Sequence, residues 1–247
     1  MNRRRWDSEE LIIAFSLYCQ MPFGKIHQRN PVIVDVSRQI NRTPSALAMK
    51  MLNFASLDPE IIKSGRSGLG NASAKDEEIW NEFHNDWDRA VEKAQELLGD
   101  TLVEPAEPED YSSEDVKMEI KVRRKQHFFR KAILSGYKEA CYISGLNHPR
   151  FLIASHIKPW SLDQKNRLNP RNGLCLSVLY DRAFDLGLIT VTTDYKVEVS
   201  DRLREEATDP FSKDNLHSIH GKKITLPEKF LPSRAFLSFH NHNIFQN

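Results

Sequence analysis

Three cysteines among 247 residues, Cys19, Cys141 and Cys175, exclude a disulfide framework, because their number is odd and they stand far apart. Neither Cys141 nor Cys175 has a second cysteine at zinc-ligand spacing. A structural zinc is therefore not expected, and both read as small buried hydrophobes. No apolar run reaches the ~18 residues of a membrane-spanning helix, so no membrane partner is expected. The opening MNRRRWDSEELI is basic, but no apolar stretch or small-residue cleavage site follows it, so it does not read as a secretory signal. A reducing cytoplasm fits these absences. Net charge is nearly absent as well, at +1.

That near-zero total hides an uneven distribution. Residues 1–98 carry 13 Lys+Arg against 14 Asp+Glu, and residues 99–115 carry none against 7. Residues 116–247 carry 22 against 13, a net of +9, which suits a polyanionic partner. The middle stretch, GDTLVEPAEPEDYSSED, has two prolines and no apolar periodicity. It reads as a linker over 99–115 between two domains, each large enough to bury a core.

Residues 1–98 read as helices. Leu11, Ile12, Phe15 and Tyr18 share helical spacing over Ser8–Cys19, with Ser8 placed to cap. Ile33, Val36 and Ile40 give Pro31–Ile40 one apolar face. Thr43 can cap a following helix with Pro44 in its first turn, and Ala46, Leu47 and Met51 pack. Two helices joined at Asn41-Arg42 can form a helix-turn-helix, in which Arg42, Ser45, Lys50 and Asn53 point outward to phosphates or base edges. Plain helical packing is the alternative. Further on, Ile79, Trp80, Phe83, Trp87 and Val91 recur every three or four residues, which predicts an amphipathic helix with both tryptophans in the core. Beyond the linker, VKMEIKVRRKQHFFRKAILSGY predicts another helix. It packs Ile120, Phe128, Ala132 and Ile133 and presents Lys121, Arg123, Arg124, Lys125, Arg130 and Lys131, either solvated or set against a phosphate backbone.

The densest chemistry lies between Cys141 and Leu188, in CYISGLNHPRFLIASHIKPW followed by NPRNGLCLSVLYDRAFDLGL. CYIS and FLIAS, separated by a Gly-Leu-Asn-His-Pro turn, predict a β-hairpin. Leu174 to Phe184 has helical period, and Gly187 stands where such a helix ends. His156 closes the second apolar run, where a neutral imidazole can take a proton from water. Asn172 follows, either as a turn residue or as an amide brace. Asp181 and Asp185 stand four apart on the helix, with β-carbons about 5–6 Å from each other. Two like charges so placed repel unless a cation sits between them; a divalent ion is one explanation, and solvation or pairing with Arg182 or a neighbouring lysine is the other. Lys158, Arg167 and Arg171 add basic groups around this block. LITVTTDYKVEV predicts a second hairpin, and the closing LPEKFLPSRAFLSFHNHNIF, with His240 and His242, reads as packing.

The ASHIKPW block and the D-x-x-FD-x-G helix resemble the HNH endonucleases, and WDSEEL…RTPSALAMKMLNFASLDP resembles an N-terminal domain often joined to HNH nucleases of bacterial restriction type. The resemblance implies an α+β chain: a helical, helix-turn-helix-like recognition domain over 1–98 and a ββα-metal (HNH) nuclease domain over 116–247. It implies His156 as general base, Asn172 as the brace of the loop carrying it, and Asp181, Asp185 and Ser155 as ligands of one Mg²⁺ or Mn²⁺ ion. Ser155 stands where many of these nucleases carry an acidic or imidazole ligand, and Tyr180 where relatives often carry histidine. The implied activity is metal-dependent hydrolysis of double-stranded DNA, for restriction or defence. A double-strand break then requires a homodimer or two visits. A DNA-binding protein of nuclease fold without chemistry, and an RNA-directed toxin or effector, stay open at this level.

Overall fold

The computed structural model describes residues 4–66, 68–99 and 114–246, with residues 114–121 described by their backbone alone. The acidic segment expected as a linker lies largely outside the described residues. The chain divides into two compact units, Met1–Gly136 with Lys165–Asn169, and Tyr137–Gln164 with Pro170–Asn247. The division thus falls at the end of the helix that follows the acidic segment, which groups with the N-terminal helices. No described helix is long and apolar enough to cross a membrane.

The first unit is helical. Helix α1 (Ser8–Gln20) is buried from Glu10 to Cys19, because α3 (Pro44–Ala55), α5 (Ala74–Asn85), α6 (Trp87–Leu98) and α7 (Glu114–Gly136) all pack against it. A helix surrounded in this way is apolar around its whole circumference. The cap is Asp7, not Ser8: its carboxylate accepts from Glu10 N while Glu10 accepts from Asp7 N. Phe15 sits at the centre, its ring 4.4 Å from Phe83 and 5.1 Å from Phe54. The continuous helix expected across Ile79–Val91 is broken at Asp86. That residue leaves helical geometry and accepts from Arg89 N at 3.0 Å, so it starts α6 anew. Trp87 remains in the core as expected.

Helices α2 (Pro31–Gln39) and α3 are joined at Asn41, which takes φ 51°, and Arg42. Thr43 caps and Pro44 opens α3 as expected. A short α4 (Pro59–Lys63) is capped by Asp58, which also accepts from Tyr18 Oη at 2.6 Å inside the core. Burial holds the Asp58 carboxyl up at about 6.

The second unit carries two small antiparallel sheets. Strand β1 (Leu152–His156) pairs with β2 (Gly173–Ser177), in a register that sets His156 opposite Gly173. The expected pairing of CYIS with FLIAS is therefore corrected, as is the expected helix start at Leu174. Residues 142–144 form a turn, and 173–177 form the strand. Every residue of β2 is buried, so its apolar run has no period to separate strand from helix. Helix α8 (Val178–Asp185) follows directly and packs on both strands. Gly187 then turns the chain with φ 68°, and a β-carbon there would collide with the carbonyl of Ile244. The predicted second hairpin is present as β3 (Ile189–Val191) and β4 (Val197–Val199). Short helices α9 (Asp201–Glu206) and α10 (Pro210–Asn215) lead to α11 (Arg234–Asn243), which packs on β3.

Candidate active site

The site is assembled where β1 ends and α8 begins. His156 is the last residue of β1, half-buried, with the indole of Trp160 edge-on at 5.6 Å. The backbone beyond it is fixed by Asn172, which is 1% exposed. Asn172 Oδ1 accepts from Lys158 N at 2.8 Å, its Nδ2 donates to Lys158 O at 3.1 Å, and its own carbonyl accepts from Ile157 N at 3.0 Å. One amide so completes both backbone groups of Lys158, two residues after the histidine. An amide presents a donor and an acceptor side by side on two separate atoms, whereas an ionised carboxylate has no donor.

Across from this bracket, α8 presents Asp181, half-buried, and Asp185, open to solvent. Burial raises the Asp181 pKa; the Ser155 hydroxyl pulls it back, the Asp185 charge pushes it up, and Arg182 eases it down. The protein mass around Asp185 desolvates that carboxylate in part and raises it too, with Arg182 again opposing. Ser155 is buried on β1, and its hydroxyl lies near enough to favour the Asp181 charge without forming a well-shaped hydrogen bond. Ser155, Asp181 and Asp185 are thus brought together. Among the described residues, no three His, Cys, Asp or Glu side chains form a ready-made metal cluster. Two carboxylates and a hydroxyl still fit a hard cation of the Mg²⁺ type, which keeps several waters and takes one or two carboxylates plus substrate phosphate.

Tyr180 is buried and its hydroxyl donates to Asn215 O at 2.8 Å, which anchors α8. The tail histidines separate in role. His242 is exposed on α11, whereas His240 is buried and stacks on Phe184 at 3.7 Å. Burial lowers the His240 pKa to about 4, and its Nε2 donates to Phe184 O at 3.2 Å. Nδ1 is then the acceptor, taking the Thr190 hydroxyl at 2.7 Å. Cys141 and Cys175 are both buried.

The basic residues are distributed unevenly. Lys158 is held by Asp163 at 3.1 Å and lies over the Phe239 ring. Lys125 pairs with Asp88 at 2.7 Å. Arg123 and Lys131 are exposed; Arg124, Arg130, Arg167 and Arg171 are half-buried. Two expected outward groups point inward instead. Arg42 bonds Glu10 at 2.6 Å and the carbonyls of Arg4 and Arg5, and Lys50 is buried against Asp76 at 2.9 Å. Each answers a buried carboxylate that would otherwise be uncompensated. Asn53 turns toward the carbonyls of Leu69 and Met49, while Ser45 stays exposed. Arg182, the arginine offered by the sequence as a partner of the two aspartates, stands between them in the chain and is exposed.

Among curated proteins no sequence matches the chain. Residues 141–192, which hold the whole β1–β2–α8 arrangement, match the family model described as HNH endonuclease, and the C-terminal half of the chain therefore carries an HNH endonuclease domain.

Proposed function

We propose that the protein is a divalent-metal-dependent endonuclease that hydrolyses phosphodiester bonds of double-stranded DNA in restriction or defence. What supports this reading is that the stretch matched to HNH endonucleases holds both His156, followed by a segment bracketed by Asn172, and the Ser155–Asp181–Asp185 oxygen group on β1 and α8. His156 is the base that takes a proton from the attacking water. Asn172 holds the segment after it, so the imidazole keeps its aim. Asp181 and Asp185, with Ser155, would hold Mg²⁺ or Mn²⁺. When bound, such an ion supplies Lewis-acid stabilisation of the charge that develops on the phosphate and the leaving 3′ oxygen. The products are a 5′-phosphate and a 3′-hydroxyl. The net +9 of residues 116–247 favours a polyanion. Arg123 and Lys131, exposed on α7, are the proposed backbone contacts there.

The test is cleavage of plasmid and phage DNA, with and without base modification, across divalent metals, beside His156→Ala. Metal-dependent cutting that disappears in His156→Ala while DNA binding stays is the expected outcome. Cutting unchanged by the substitution would remove His156 from the role of base. Retarded DNA without cutting under any metal would leave a binding protein, and preference for RNA in competition would redirect the reading to an RNA effector.

A further inference from the structure

Resting on the nuclease reading of the same site, we propose that Arg182 is a catalytic residue that grips a non-bridging oxygen of the scissile phosphate. It follows Asp181 directly and precedes Asp185 by one helical turn, so all three side chains leave the same stretch of α8. The bland role for an arginine there is to neutralise its two acidic neighbours. That role does not occupy its donors: Arg182 is exposed and forms no ion pair or hydrogen bond among the described residues, although its charge favours the ionised form of both carboxylates. Lys158, the cation nearest His156 in the chain, is already engaged by Asp163 and the Phe239 ring. Arg182 therefore keeps its planar fork of N–H donors for an incoming ligand, and that fork matches two oxygens of a phosphate.

Charge balance favours the same ligand. Both aspartates and a phosphodiester together carry three negative charges when ionised. A divalent cation answers two of them, and a guanidinium beside the pair answers the third. The donated hydrogen bonds shorten as charge builds on the phosphorus oxygens, which makes the contribution larger in the transition state than in the ground state.

The experiment separates grip from chemistry. In a His156→Ala background, which removes the proposed base, binding to a short duplex is followed by fluorescence anisotropy over a salt series with Mg²⁺ present. Adding Arg182→Gln is expected to weaken binding about tenfold and to reduce the slope of log K against log salt by about one. Arg202→Gln, the same charge change at a surface arginine paired with Glu206, is expected to change neither. With His156 intact, Arg182→Lys is expected to keep the salt slope but cut on the order of 10²-fold more slowly in single turnover, because the charge remains and the fork is lost. An unchanged slope in Arg182→Gln, an equal loss in Arg202→Gln, or full-speed cutting by Arg182→Lys would overturn the assignment. If wild-type protein binds but never cuts while Arg182→Gln still lowers the slope, the nuclease reading falls and the phosphate grip stands.

Discussion

Removing the Asn172 amide should cost stability and, separately, activity. Asn172→Ala deletes two hydrogen bonds, of 2.8 and 3.1 Å, and leaves the N–H and C=O of Lys158 without their partner. Each such bond contributes ~0.5–1.5 kcal/mol net, and each stranded backbone group costs ~1–3 kcal/mol where water cannot reach it. Lys158 is half-buried, so partial rehydration is available and the expected loss is about 2–4 kcal/mol. Asn172→Asp sharpens the test at equal volume. One carboxylate oxygen can still accept from Lys158 N, but the other faces Lys158 O, and the repulsion is relieved only when the acid is protonated. The stability gap between Asn172→Asp and wild type should therefore narrow toward acid pH. Urea denaturation with an unchanged slope is the assay, because a shifted midpoint then reports stability alone. Activity is read at a temperature where each variant is folded. A base displaced by about 1 Å loses on the order of 10²-fold in rate. The reasoning fails if Asn172→Ala costs under about 0.5 kcal/mol, within the range of an ordinary surface change, or if the folded variant cuts at the wild-type rate.

Three further outcomes follow from the structure. His240 titrates at about 4 in the fold against 6.5 unfolded, so the unfolded chain binds more protons between those values; the stability this contributes is present above pH 6.5 and is lost as pH falls. The loss is about 3 kcal/mol, and melting curves of His240→Gln should lack that slope. Asp58 has the opposite sign: its carboxyl is raised from 3.8 to about 6, so its contribution is full below pH 3.8 and is lost as pH rises through 6. Asp58→Asn, which preserves a cap, should remove a difference of about 3 kcal/mol from the pH–stability curve, and a curve identical to wild type would contradict this. Gly187→Ala combines a left-handed φ of 68° with a collision against the Ile244 carbonyl, and should lower stability by ~2–4 kcal/mol in thermal unfolding.

Much of the local structure was legible because it depends on neighbours in the chain. Thr43 and Pro44 open a helix by side-chain chemistry and fixed φ, and Gly187 ends one by lacking a β-carbon. The DRAFD segment is helical because its residues favour that period. Legibility failed where a partner distant in sequence decided. Leu174–Ser177 carries an unbroken apolar run that serves a strand or a helix equally, and only pairing with Leu152–Ser155 settles it. Asp86 splits an otherwise continuous apolar stripe, because its capping bond outweighs one more turn of helix there.

The amino-acid order alone determined which groups could do chemistry: a histidine, an amide and two aspartates four apart, in a block resembling HNH endonucleases. Whether a charge is spent or available was decided only by tertiary structure. Arg42 and Lys50 look as outward as Arg182 when read in order, yet the first two are drawn inside by Glu10 and Asp76, and the last is left exposed beside its aspartates. The physical reason is desolvation: a carboxylate taken into the interior requires a cation with it, and which one it recruits depends on folding, not on adjacency in the chain.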